Sequence, residues 1–231
     1  ERSRDMKSII SECEKLINDG YKEITLLGQN VNSYGNDVPD ENVNFANLLR
    51  EVAKIDGKFR IRFMTSHPKD LTEDVVKAIR DKICNNIHLP IQAGSNSVLK
   101  NMNRRYTREH YLGLIDMIRR YLPDCGITTD IMVGFPYETE EDFLDTMEIV
   151  EKVRFSTAFI YSVRKGTKAA EMPQIPYEIK QNRIKRLIAR QNEITEEISK
   201  DYVGNVYEIL VEGMQEKKNG YVVGRTESGR L

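Results

Sequence analysis

The chain has 231 residues, of which 39% are hydrophobic and 31% charged, and its formal net charge is −1. A chain of this length can hold one large domain with a substantial core plus a smaller appendage. The composition argues against a membrane-spanning protein, because no apolar run approaches the roughly 20 residues that a span needs. The balanced charge gives no overall signal of nucleic-acid binding.

The three cysteines, Cys13, Cys84 and Cys125, are odd in number and widely spaced. They predict neither a disulfide framework nor a metal site of their own, so we expect reduced thiols in a cytoplasmic protein. The first residues, Glu1-Arg2-Ser3-Arg4, lack both a Met and the apolar run of a signal peptide. We therefore expect this chain to be a fragment of a longer protein.

The first half of the sequence alternates helical and strand patterns. Apolar residues at helical spacing predict helices over 6–17, 45–55 and 71–79. Short apolar or alternating runs predict strands over 23–27, 59–64 and 86–89.

The alternation continues with a helix over 108–121, capped by Thr107, and a strand over 127–133. Thr139 to Asp142 forms a capping-box pattern that opens a helix to about residue 152, and 157–161 is the last strand of the series. Repeated βα units predict a parallel sheet. Because no glycine-rich nucleotide loop follows any strand, we favour a barrel, or most of one, whose first strand lies upstream.

After residue 170 the pattern changes to a proline-marked linker, a long charged helix over 177–200 and short strands over 206–211 and 221–224. Asn219-Gly220, within the turn Lys217-Lys218-Asn219-Gly220, is a hairpin dipeptide. The predicted organisation is a barrel at 1–172, a linker and helix at 173–201, and the start of a small β-barrel at 202–231.

Polar side chains collect where the predicted strands end, and the C-terminal ends of parallel strands converge on one face. These residues are Gln29, Asn30, Ser66, His67, Gln92, Ser95, Asp130, Tyr161 and Arg164. They are mostly neutral hydrogen-bonding groups, which suit holding a polar ligand while a cofactor performs the reaction. Individually, several could instead satisfy loop backbone. Asp130 is the sharpest candidate, because a carboxylate in an apolar strand is costly to bury without a partner.

Several ordered motifs resemble the radical-SAM methylthiotransferase family. They are Glu1-Arg2-Ser3-Arg4, the seven residues 28–34 (GQNVNSY), 65–68 (TSHP), 88–95 (HLPIQAGS), 102–107 (MNRRYT), 129–136 (TDIMVGFP) and 161–164 (YSVR). The sequence GQNVNSY resembles the loop sequence of the branch that makes 2-methylthio-N6-dimethylallyladenosine in tRNA. The resemblance implies an α/β fold, a partial (β/α) barrel of the radical-SAM type, and residues 202–231 resemble the start of a tRNA-binding TRAM domain.

The resemblance also implies S-adenosyl-L-methionine as cofactor and two 4Fe-4S clusters in the complete enzyme. The implied cofactor-binding residues are Gln29, Asn30, Ser66, Gln92, Ser95, Asp130 and Val133. The implied RNA-binding residues are Arg104, Arg164, Lys165, Arg183 and Arg186. The family's CxxxCxxC segment and second cysteine triad would both lie upstream. No metal ligand or catalytic residue is therefore assigned within this chain, and we expect the fragment alone to be inactive.

The implied partners are the anticodon stem-loop of tRNA and an electron donor such as flavodoxin or ferredoxin, and we expect a cytoplasmic monomer. One alternative is a sister branch, acting on threonylcarbamoyl-adenosine in tRNA or on a ribosomal protein. Another is a non-catalytic RNA-binding fragment, although acidic residues on the long helix balance its basic ones. An unrelated aldolase or lyase would need a Schiff-base lysine or a metal-carboxylate set at the strand ends, and none is visible.

Overall fold

The computed structural model describes residues 2–216 and 220–231. Glu1 and most of the predicted turn, Lys217, Lys218 and Asn219, lie outside the described residues. The chain forms two compact units, one of Glu1–His88, Met117–Gly126 and Val206–Leu231 and one of Leu89–Asp116 and Ile127–Asn205. These units divide the chain differently from the predicted boundaries at 172 and 201, which stay a prediction.

The first unit begins with alternating helices and strands. They are α1 (Met6–Asn18), β1 (Glu23–Leu26), α2 (Phe45–Ala53), β2 (Arg60–Phe63), α3 (Glu73–Ala78) and β3 (Asn86–His88). β1 and β2 pair in parallel with Ile24 opposite Ile61. Ile61 and Phe63 lie on one face of β2 and are buried, and successive side chains of a strand alternate, so Arg60 and Arg62 lie on the other face, where Arg60 is also buried and Arg62 is half-buried.

The second unit contains α4 (Asn96–Asn101), most of β4 (Gly126–Met132), α6 (Glu140–Val153), β5 (Thr157–Tyr161) and α7 (Tyr177–Lys200). A further helix, α5 (Arg108–Tyr121), has residues in both units. β4 and β5 pair in parallel with Asp130 opposite Phe159. Thr129 and Ile131 on one face of β4 are fully buried, whereas Asp130 is only half-buried on the other. The predicted alternation of strands and helices is confirmed.

Several predicted bounds match the structure and others do not. The bounds of β5 and α7 are as predicted, and Thr139 closes the predicted capping box with Asp142. α4 was not predicted, because six residues are too few to show a helical period. The strand predicted over 206–211 is wrong: β6 covers Leu210–Met214, where antiparallel pairing with β7 (Val222–Arg225) fixes the register.

Arginine side chains of β2 hold the C-terminal segment within the first unit. Arg60 donates to the carbonyls of Arg225, at 2.7 Å, and Glu208, at 3.0 Å. Arg62 donates to the carbonyls of Thr226, at 2.9 Å, and Glu227, at 3.2 Å. The C-terminal segment therefore lies beside β2. Along the described ranges 2–216 and 220–231, no helix has the length and apolar character to cross a membrane.

Candidate functional site

The loops that follow β1 and β2 are joined to each other. The main-chain N–H of Val31 donates to the carbonyl oxygen of Thr65 at 3.3 Å. The amide Nδ2 of Asn30 donates to Oδ2 of Asp70 at 2.6 Å. These bonds place the segment that follows Gly28 beside the segment that contains Ser66.

Four buried polar atoms on these two loops have no hydrogen-bond partner in the described part of the chain. They are Oδ1 of Asn30, both amide atoms of Asn32 and Oγ of Ser66. Asn32 is 7% exposed and Ser66 is 3% exposed. Because buried polar atoms in folded proteins are nearly always paired, such a cluster indicates a place for a polar ligand. Gln29, the neighbouring predicted residue, is exposed.

Backbone strain lies at the same place. Thr65, directly before Ser66, has a φ of 66°. A β-branched residue disfavours this left-handed region, and such strain collects at functional sites. The strand-end pattern predicts Asn30 and Ser66 but not Asn32, whose signal is the second asparagine in the Gln-Asn-Val-Asn pattern.

In the second unit, Gln92 is held firmly by its backbone and its side chain. Its N–H donates to the carbonyl of Asp130 at 2.9 Å, and its carbonyl accepts from Met132 at 2.8 Å. Its φ is 72°, and its side-chain oxygen accepts a hydrogen bond from the Tyr161 hydroxyl. Burial raises the pKa of Tyr161, the charge of Asp130 adds to the rise, and Arg104 opposes it. Gln92, Asp130, Tyr161 and Arg104 thus belong to one polar neighbourhood.

Ser95 has a structural partner. Its hydroxyl donates to the carboxylate of Asp142 at the start of α6, and the N–H of Gly94 donates to Oγ1 of Thr146 at 2.9 Å. Burial acts to raise the pKa of Asp142, but hydrogen bonds from Ser95, Ser97 and Thr139 together hold that pKa below its ordinary value. A cofactor contact at Ser95 would have to share this hydroxyl, and it stays a prediction.

The loop that follows β4 is also fixed by hydrogen bonds. The N–H of Val133 donates to the carbonyl of Tyr161 at 2.9 Å. The N–H of Gly134 donates to both carboxylate oxygens of Glu138, at 3.2 and 3.1 Å. Any ligand contact at Val133 would therefore be made by its carbonyl rather than by its N–H.

The predicted RNA-binding residues differ in accessibility. Arg164 and Lys165 are exposed in the loop after β5, while Arg104 and Arg186 are half-buried. Arg183 is only 4% exposed and forms an ion pair with Glu138. The prediction that Arg183 contacts RNA phosphates is therefore corrected, because a buried and paired guanidinium cannot reach a phosphate backbone. The sequence of a charge-rich helix does not distinguish its buried arginines from its exposed ones, so the burial of Arg183 was not predictable from sequence.

The cysteines of this chain do not fit an iron–sulfur cluster. Cys13, Cys84 and Cys125 are buried. Burial raises the pKa of Cys84 to about 11 and that of Cys125 to about 12, so both stay protonated at neutral pH, whereas cluster ligands are thiolates. Within 2–216 and 220–231, no group of three or more Cys, His, Asp or Glu side chains is placed to hold a metal ion.

Comparison with known proteins assigns the family. The sequence model of the Radical SAM superfamily matches residues 1–150. The chain belongs to this superfamily. This radical-SAM chain is 53% identical, over its full length, to the tRNA-2-methylthio-N(6)-dimethylallyladenosine synthase of Thermoanaerobacter pseudethanolicus, of which it covers 50%. It is also 53% identical to the protein of the same name from Acetivibrio thermocellus, of which it covers 49%. The radical-SAM chain thus spans about half the length of the curated relatives it matches.

Solved structures support the same fold. Coproporphyrinogen III oxidase of Escherichia coli, a radical-SAM enzyme, superposes with a TM-score of 0.52 at 18% identity, over 64% of this chain and 36% of that one. A radical S-adenosylmethionine methyltransferase from Kitasatospora setae gives a TM-score of 0.55 at 16% identity, over 69% and 31%. The predicted α/β fold of the radical-SAM type is confirmed.

Proposed function

We propose that the full-length protein carrying this chain methylthiolates N6-dimethylallyladenosine next to the anticodon of tRNA, at C2 of the adenine. The observation that carries the proposal is the 53% identity, across the whole chain, to synthases bearing that name. The sister branches, which act on threonylcarbamoyl-adenosine or a ribosomal protein, are the alternative.

S-adenosyl-L-methionine is the proposed cofactor, and the residues present fit it. Its methionine carries an ammonium and a carboxylate, and its ribose carries hydroxyls. The unpartnered atoms of Asn30, Asn32 and Ser66 are amide and hydroxyl groups that can donate to or accept from such groups. When bound beside a reduced cluster, the cofactor supplies the radical chemistry. The residues of this chain bind and orient it. Gln29, Gln92, Ser95, Asp130 and Val133 remain proposed contacts.

The 4Fe-4S clusters belong to the full-length protein in this proposal. The three cysteines of this chain are buried, and Cys84 and Cys125 have raised pKa values. The ligands of the clusters must therefore come from other residues. We therefore expect the 231-residue chain alone not to cleave S-adenosylmethionine. An electron donor such as flavodoxin or ferredoxin would reduce the cluster.

The RNA partner is proposed to contact basic side chains of this chain. The candidates for phosphate contacts are the exposed Arg164 and Lys165 and the half-buried Arg104 and Arg186. The β6–β7 hairpin, held to β2 by Arg60 and Arg62, is proposed to begin a TRAM-like tRNA-binding domain. A cytoplasmic, monomeric protein is part of the same proposal.

Ser66→Ala tests the cofactor site. Since Oγ of Ser66 has no partner in the described structure, we expect the free energy of unfolding to stay within about 0.5 kcal/mol of the unaltered protein or to rise. Loss of one hydrogen bond to the cofactor should weaken S-adenosylmethionine binding about tenfold, which is the equivalent of about 1.4 kcal/mol. Denaturant unfolding and equilibrium binding to the full-length protein measure the two quantities.

Ser95→Ala is the matched comparison. Its hydroxyl bonds to Asp142, so its removal should lower the free energy of unfolding by about 1 kcal/mol or more. If Ser66→Ala leaves cofactor affinity unchanged, or destabilises the fold as Ser95→Ala does, then Ser66 does not face the cofactor.

A further inference from the structure

Arg183 is buried in the second turn of α7 and has acceptors on two residues. Its Nη1 donates to Oε1 of Glu138 at 2.9 Å and to the Glu138 carbonyl at 3.0 Å. Its Nε donates to Oε2 of Glu140 at 3.1 Å. The guanidinium carbon lies 5.8 Å from the centre of the Phe143 ring. Arginine is almost never fully buried unless it is paired, so this side chain has a fixed place in the fold.

The Glu138 carboxylate connects Arg183 to the loop after β4. The side chain of Glu138 is 3% exposed, and both of its oxygens accept from the N–H of Gly134. The carboxylate thus lies between the guanidinium of α7 and a main-chain N–H of the loop. Burial raises the pKa of Glu138, while the Gly134 N–H and Arg183 oppose the rise, so both partners favour the ionised form.

α7 also contacts this loop directly. Gly134 has a φ of 73°, and a Cβ added there would lie 2.6 Å from Cγ of Lys180. On its other side the loop places Phe135 in a buried cluster with Ala93, Val98, Leu99 and Tyr106. Ala93 follows Gln92 in sequence and Phe135 lies two residues after Val133, so the cluster ties together two loops that carry proposed cofactor contacts.

We propose that Arg183 is a positioning residue: through Glu138 it fixes the Gly134 N–H and so sets the pose of the Val133–Gly134 loop segment for cofactor binding. The expected effect on cofactor affinity rests on the proposed function. The restraint on the loop is a property of this chain alone.

Arg183→Lys separates charge from geometry. Lysine keeps the positive charge, but a single ammonium lacks the planar fork that reaches Glu138 and Glu140 together. The matched control is Arg190→Lys on the same helix, since Arg190 pairs with Glu151, Glu193 and Glu197 and not with the loop. Glu138→Gln removes the charge of the intermediate group while keeping its size.

Two readouts are measured on the full-length protein, at a temperature where all variants remain folded. Amide hydrogen exchange without cofactor should be faster in the peptide covering 133–138 for Arg183→Lys and unchanged for Arg190→Lys. The dissociation constant for S-adenosylmethionine should rise on the order of tenfold for Arg183→Lys. The Arg183→Lys/Glu138→Gln double variant should be no weaker than Glu138→Gln, because both act through one contact.

Unchanged exchange in Arg183→Lys would overturn the proposal, as would a cofactor affinity equal to that of Arg190→Lys or additive effects in the double variant. If the unaltered protein binds no S-adenosylmethionine, the proposed function fails. The exchange result alone then decides whether Arg183 holds the loop.

Discussion

Gly94→Ala is expected to lower the free energy of unfolding by about 3 kcal/mol or more, at the upper end of overpacking effects. A Cβ at this position would lie 2.4 Å from Cα of Thr146 and 2.6 Å from the carbonyl oxygen of Asp145. Both atoms belong to the backbone of α6, so no rotamer change relieves the clash. The close approach is also what lets the Gly94 N–H bond to Thr146 Oγ1. Urea unfolding of the chain followed by circular dichroism measures the effect.

Gly113→Ala provides the contrast. Gly113 is an exposed position of α5 with nothing within 4 Å of an added Cβ. Alanine there should stabilise the protein by roughly 0.5–1 kcal/mol, because glycine loses more backbone freedom in a helix. Equal unfolding free energies for Gly94→Ala and Gly113→Ala would show that the loop after β3 is not packed against α6 as described.

Gly35→Ala is the second change with a large expected effect. Gly35 has a φ of +91°, and a Cβ there would lie 1.8 Å from the carbonyl oxygen of Val43. The loop must therefore move, and it carries Asn30 and Asn32. We expect a loss of at least about 3 kcal/mol in unfolding free energy. In the full-length protein, S-adenosylmethionine binding should weaken as well. Thermal unfolding and equilibrium binding measure the two effects.

Gly20→Ala isolates the backbone contribution. Gly20 has a similar φ of +97° but nothing within 4 Å of an added Cβ. Alanine there should cost only about 1–2 kcal/mol, the penalty of a left-handed conformation, with no effect on cofactor binding. A loss for Gly35→Ala no greater than that for Gly20→Ala would contradict the close approach to Val43.

Local sequence patterns predict much of the fold because helix caps and residue propensities depend on neighbouring residues. The capping box at Thr139 and the charge-rich pattern with a partial apolar stripe from Tyr177 to Lys200 predict α6 and α7, since caps and propensities act within a few residues. β6 was misplaced because its register depends on pairing with β7, which lies beyond its own sequence window. α4 is too short to show periodicity.

The candidate site was predicted in part for the same reason. Strand ends converge by topology, so Asn30 and Ser66 followed from the βα pattern. Asn32 was missed because only three-dimensional burial shows that its amide has no partner among the described residues. Arg183 was assigned to RNA because sequence cannot distinguish a guanidinium facing solvent from one buried against Glu138.

The nucleoside content of tRNA shows whether the full-length protein is a methylthiotransferase. Full-length protein with reconstituted clusters is incubated with S-adenosylmethionine, a reductant and tRNA that carries N6-dimethylallyladenosine. Mass spectrometry of the digested tRNA should then show conversion to the 2-methylthio nucleoside, and the Asn32→Ala variant should show much less. Unmodified tRNA together with uncleaved S-adenosylmethionine would show that the full-length protein does not catalyse this reaction.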